Sequence, residues 1–294
     1  MIRTINAGLN WLILLTPRWL PVFVLIPVLY LIGWVKAQLL TLVGLPTSAV
    51  SLVGTVFSFL LFLLLMPRWV RLRWLIKRPW VAIGLRGVAP HQPSSFAVLF
   101  RGLLWSVFLL ALIVLALLLG HWAQFQGTDS VRLLLDAFVL LFSVGLAEEL
   151  LFRGWLWEEL NQLLGAKAGV ISQAAIFSLV HARFNMGVWP MLGLLSGLFL
   201  LGLVLALRRR LDHGSLWGCV GLHGGLISGW FLLEKNALQL SADAPTWLIG
   251  PGGSNPNPMG GLVAISALTL LLWIQRTAFN KSLFTKTEHR NASY

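Results

Sequence analysis

Leu133 to Arg153 reads LLLDAFVLLFSVGLAEELLFR. The run from Leu133 to Ala147 is apolar apart from Asp136 near its start, and it ends on two adjacent carboxylates, Glu148 and Glu149, with Arg153 one helical turn beyond Glu149. Such a run suits a bilayer, and ionisable groups within or at the edge of a hydrocarbon-spanning segment are costly enough to be functional hypotheses by default. Comparable runs flank it on both sides: Leu20 to Val35, Ala49 to Met66, Leu103 to Leu119, Val170 to His181, Pro190 to Leu207, Ser215 to Leu233 and Gly261 to Ile274. The pattern predicts an all-α polytopic membrane helical bundle of about eight transmembrane helices.

Composition agrees. Hydrophobic residues are 57% of the 294 and charged residues 11%, against roughly 25% charged in soluble domains. The formal charge of +12 comes from basic residues between the apolar runs, so the partner it implies is the lipid bilayer with its anionic headgroups, and no nucleic acid. With the N-terminus in the cytoplasm, eighteen of the 22 Lys and Arg fall on the cytoplasmic side and four, Lys36, Arg132, Arg183 and Lys235, on the other. That asymmetry predicts a multi-pass protein with both termini cytoplasmic. The lone Cys219 excludes an intrachain disulfide and a cysteine zinc cluster.

Three segments follow: 1–130, membrane helices with a basic cytoplasmic loop; 131–235, a core carrying the ionisable residues; and 236–294, an outer loop, the last transmembrane helix and a polar tail. The basic stretch Arg68 to Arg78, interleaved with Trp69, Trp74 and Trp80, reads as an amphipathic segment on the membrane surface. Gly250 to Gly261, with its Asn-Pro-Asn-Pro core, reads as a turn-rich outer loop, and Arg276 to Tyr294 as a loose tail.

Glu149 and Arg153, at i and i+4, share a helix face and form an ion pair. Glu148 is turned about 100° away and has no such partner. His181 closes the fifth run and His223 lies midway along the seventh. Glu148 and His181 flank the turn signal Gly165 to Gly169 symmetrically, which puts them at similar depth on an antiparallel helix pair. His223 points away from the ridge formed by Gly221, Gly225 and Gly229, so the glycines can pack while the histidine looks into a cavity. Glu148, His181 and His223 can together activate water, directly by general-base catalysis or through a divalent metal such as zinc; the residues leave both open.

These motifs resemble the CAAX prenyl endoprotease and bacteriocin-processing family of membrane proteases. Its Glu-Glu-x-x-x-Arg is matched by Glu148, Glu149 and Arg153, its Phe-x-x-x-His by Phe177 and His181, and the histidine of its His-x-x-x-Asn/Asp by His223. The fourth residue after His223 is Ile227, where the family has a polar side chain. The resemblance implies an intramembrane endopeptidase acting on a membrane-associated protein or peptide. Glu148 and His181 would activate water, His223 would stabilise the oxyanion, Glu149 with Arg153 would support the site, and Phe177 would pack it. Trp230, on the His223 face, is expected to offer its indole N–H in place of the missing polar group. Prenylated substrates are not implied. Two other readings stand beside it: a catalytically inactive scaffold of the same fold, favoured by Ile227, and a proton-relay transporter, disfavoured by the lack of an internal repeat.

Plainer roles cover the other polar residues. Glu158 and Glu159 are expected on a solvated face, Arg132 with Asp136 as an interfacial pair, and Asp212 with His213 as caps of the seventh helix.

Overall fold

The computed structural model describes residues 10–87, 93–127, 130–241, 243–251 and 256–291, without the side chains of 236 and 278–291. The chain forms two compact units, 1–82 and 83–294. Its architecture is all-α, with one two-stranded ribbon that the sequence reading did not foresee: Ala123–Phe125 (β1) pairs antiparallel with Leu238–Leu240 (β2). Four helices, Trp19–Thr41, Thr47–Trp74, Ser95–Leu119 and Val188–Leu211, are long and apolar enough to cross a bilayer, which makes this a multi-pass membrane protein.

In the first unit α1 (Trp19–Thr41) and α2 (Val50–Trp69) pack against each other where Gly33 meets Gly54 and Ser58. Their outer faces keep large apolar side chains bare, with Leu64 78% exposed, as lipid contact requires. The basic segment after α2 departs from expectation. Val70–Trp74 continues α2 as a π-helical turn, and Arg73 and Trp74 turn inward. Arg73 donates to the carbonyls of Ile13 (2.9 Å) and Arg18 (2.8 Å) and lies 4.9 Å over the Trp69 ring, so main-chain acceptors and an indole satisfy this guanidinium in place of lipid headgroups.

In the second unit the site is carried by α4 (Val131–Glu149), which continues through a π-helical stretch, Leu150–Leu156, into α5 (Trp157–Leu164). Gly165, at φ +81°, reverses the chain into α6 (Ala166–Leu179); a left-handed φ of this kind is cheap for glycine alone. The two arms close tightly, because Gly169 lies directly on Asn161 and has no room for a Cβ. Then follow α7 (Val188–Leu211), α8 (Trp217–Leu232) and α9 (Leu262–Asn291), with α3 (Ser95–Leu119) preceding α4.

Helix α8 is the centre of this unit. Gly221, Gly225 and Gly229 face Leu99, Ser106 and Leu110 of α3, the close approach that their spacing predicted. On the other side Gly224 abuts the Leu141 carbonyl of α4, and Gly145 abuts Gly224. The backbones of α4 and α8 therefore run close together beside Glu148, Glu149 and His223.

Several polar residues behave differently from expectation. Asp212 does not cap α8; it takes bonds from Arg208 (2.7 and 2.6 Å) and pairs with Arg101 (2.8 Å). Glu159 is buried. Arg209 is buried and donates to the carbonyls of Arg153, Ile83 (3.0 Å) and Gly214 (3.1 Å). Helix α9 runs on to Asn291, so the tail expected to be loose is helical up to there; residues 292–294 lie outside the described residues, as do 1–9 and, in the outer loop, 252–255.

Candidate functional site

Two neighbouring carboxylates acquire different surroundings because one helix step turns them apart. Glu149 is fully buried, and its Oε1 accepts from Arg153 Nη1 at 2.7 Å and from His223 Nδ1 at 2.8 Å. Glu148 has no guanidinium partner among the described residues. Its Oε2 lies 3.6 Å from His181 Nε2 and 3.9 Å from His223 Nε2, and among the described residues no hydrogen-bond donor reaches that oxygen.

The outward-facing nitrogens fix the tautomers. His181 Nδ1 is 2.7 Å from the Phe177 carbonyl, which can only accept, so this nitrogen bears the hydrogen. His223 Nδ1 is held likewise by Glu149 Oε1, the oxygen that also accepts from Arg153. In the neutral rings, both Nε2 lone pairs therefore point towards Glu148. Three acceptors converge on one place, where a water would be the natural donor.

Phe177 is the spacer of this arrangement. It is fully buried, with its ring centroid 4.9 Å from that of His181, 5.6 Å from that of His223 and 4.1 Å below the Arg153 guanidinium. His181 lies just beyond the end of α6 at Leu179, not inside the fifth helix as its apolar run suggested, and is part-exposed as a result.

A cavity of about 350 Å³ opens over these groups. Glu148, Phe177, His181 and His223 line it, with Ile227 and Trp230 from α8, Arg183 and Glu234, and Pro256 to Met259 from the outer loop. The expectation for Trp230 needs correction: its indole Nε1 donates to the Pro256 carbonyl at 3.0 Å, so it anchors the loop and is not a free donor. Sequence reasoning also missed the Glu149–His223 bond and the return of Pro256 to Met259 to the site. Nothing in local periodicity signals either contact.

As for a metal, the donor types fit. Two imidazoles anchored through Nδ1 and one carboxylate are the ligand and outer-shell pattern of catalytic zinc. Their placement does not fit, since among the described residues no group of three His, Cys, Asp or Glu is arranged to hold a metal ion.

Comparison with known proteins bears on this segment. No curated protein and no solved structure matches the chain. Residues 2–78 match the model of a domain of unknown function. Residues 130–227 match the model described as type II CAAX prenyl endopeptidase Rce1-like. That match covers Glu148, Glu149, Arg153, Phe177, His181 and His223 together, so the segment that holds them is similar to the Rce1-like type II CAAX prenyl endopeptidases.

Proposed function

We propose that this protein is an intramembrane endopeptidase that hydrolyses a peptide bond of a membrane-associated protein or peptide, with Glu148 as the general base. The observation that carries the reading is the convergence of Glu148 Oε2 with the Nε2 atoms of His181 and His223, at 3.6 and 3.9 Å, in one cavity. Water held between Glu148 and His181 loses a proton to the carboxylate as its oxygen attacks the scissile carbonyl carbon. The tetrahedral intermediate collapses with cleavage of the C–N bond, and Glu148 passes the proton to the leaving amine. His223, whose Nδ1–H is committed to Glu149, donates to an oxyanion through Nε2 only as an imidazolium.

The topology that goes with this reading is eight crossings with both termini cytoplasmic, supported by the eighteen-to-four division of basic residues. Purified protein in liposomes, assayed by mass spectrometry on a mixture of synthetic transmembrane peptides, should cleave at least one of them, and Glu148→Gln should abolish that cleavage while leaving the fold intact. Equal turnover by the two proteins would overturn the assignment. The rival scaffold reading draws on Ile227, an apolar side chain at the cavity wall. It predicts no cleavage by either protein.

A further inference from the structure

Acyl transfer needs more than a base. The carbonyl oxygen that becomes negative in the intermediate must meet a donor already in place, and one such donor is worth about 10²–10³ in kcat. The groups lining the cavity can be taken one at a time. The two imidazoles turn lone pairs inward in their neutral forms, with both Nδ1–H groups engaged. The Trp230 indole N–H is bonded to Pro256 O. Arg183 is exposed. In the loop, Pro256 and Pro258 have no N–H, the Asn257 N–H is bonded to Pro251 O (2.8 Å), and the Met259 N–H is bonded to Asn257 Oδ1 (3.1 Å). The other lining residues are apolar side chains and the carboxylates Glu148 and Glu234.

One neutral donor remains. Asn257 lines the cavity, its Oδ1 accepts from Met259 N–H, and its amide NH2 has no partner among the described residues. Resting on the endopeptidase reading, we propose that the Asn257 side-chain amide is an oxyanion donor of this site, supplied by the outer loop and not by α8, where Ile227 offers nothing polar.

The position of Asn257 is built, not incidental. Gly197 of α7 receives the Met259 carbonyl and Gly193 that of Gly260, at contacts where a Cβ would collide. Trp230 holds Pro256 from α8. The Gly260 N–H closes onto the Asn257 carbonyl at 3.1 Å, and the Gly261 N–H onto that of Pro258 at 3.0 Å. Asn257 is thus pinned on both sides, with the acceptor end of its amide fixed by the turn and the donor end left over. In the reaction, the carbonyl π electrons move onto oxygen as water adds to carbon. Asn257 Nδ2–H stabilises that charge without itself gaining or losing a proton.

The test is Asn257→Asp beside Asn257→Leu, assayed in liposomes with the wild-type protein and Glu148→Gln on a synthetic transmembrane peptide. Aspartate keeps the acceptor for the Met259 N–H, and with it the turn, but removes the donor. It should lower kcat about 10²-fold or more with KM and thermal unfolding near wild type, and Asn257→Gln should recover part of the rate. Wild-type turnover by Asn257→Asp, with Glu148→Gln inactive, would overturn this role and leave the endopeptidase reading standing. A loss of rate in Asn257→Leu that Asn257→Asp does not share would overturn it as well, since it would trace to the turn. Wild-type protein no more active than Glu148→Gln would overturn both.

Discussion

Glu149 Oε1 lies 2.8 Å from His223 Nδ1 and 2.7 Å from Arg153 Nη1, so one carboxylate oxygen joins a permanent charge to an imidazole of the site. The residue that reads in sequence as a structural partner of Arg153 is therefore also a positioning residue for His223. Glu149→Gln should lower stability by about 3–5 kcal/mol, the cost of leaving a buried cation uncompensated. Glu148→Gln should unfold at or above the wild-type temperature, because no guanidinium depends on it. Thermal unfolding of both variants in one detergent checks the contrast, and equal losses would contradict it.

Removing both charges tests the same relationship differently. Glu149→Leu with Arg153→Met replaces the buried pair by apolar volume, an exchange that is often neutral or stabilising in other proteins. The double variant should recover much of the stability lost by Glu149→Gln and yet remain poorly active, since His223 would have lost the acceptor that holds its Nδ1. Activity restored along with stability would mean that the Glu149–His223 bond is dispensable.

Trp230→Phe should act through the loop. The indole N–H to Pro256 O is a single buried hydrogen bond worth about 1 kcal/mol. Its loss should accelerate amide hydrogen exchange in the 256–261 loop severalfold and cut turnover about tenfold or less, a smaller loss than for Asn257→Asp. Unchanged exchange in that segment would count against the anchoring role.

The α4–α8 contact should be intolerant of side chains. A Cβ on Gly224 meets the Leu141 carbonyl, which cannot yield as a flexible side-chain end would. Gly224→Val should cost about 1–3 kcal/mol through overpacking and reduce turnover further by moving Glu148 and Glu149 away from His223. Parallel unfolding and cleavage measurements should show both losses.

Much of this was legible beforehand because the bilayer imposes its own periodicity. The apolar runs marked the helices, the glycine spacing on α8 marked its close contact with α3, and the symmetric placement of Glu148 and His181 about Gly165 to Gly169 anticipated their proximity. What escaped had tertiary causes. His181 falls beyond its helix since α6 ends at Leu179, where no proline or glycine signals a stop. Arg73 and Asp212 read as surface or capping groups, yet the Ile13 and Arg18 carbonyls and Arg101, all distant in the chain, join them in the folded structure. The Asn-Pro-Asn-Pro segment announced a turn correctly, but nothing local tells where a turn will come to rest.

Arg209 shows how assembly must be ordered. Its guanidinium collects the carbonyls of Ile83, Arg153 and Gly214, and the Arg153 carbonyl belongs to the π-helical stretch that follows Glu149. During synthesis, that stretch emerges well before the helix bearing Arg209. Its backbone acceptor lacks this guanidinium until α7 is made. The stretch beside the base is thus completed late, when α7 arrives, so a nascent chain cut short ahead of α7 would hold Glu148 on a helix not yet locked into its working shape.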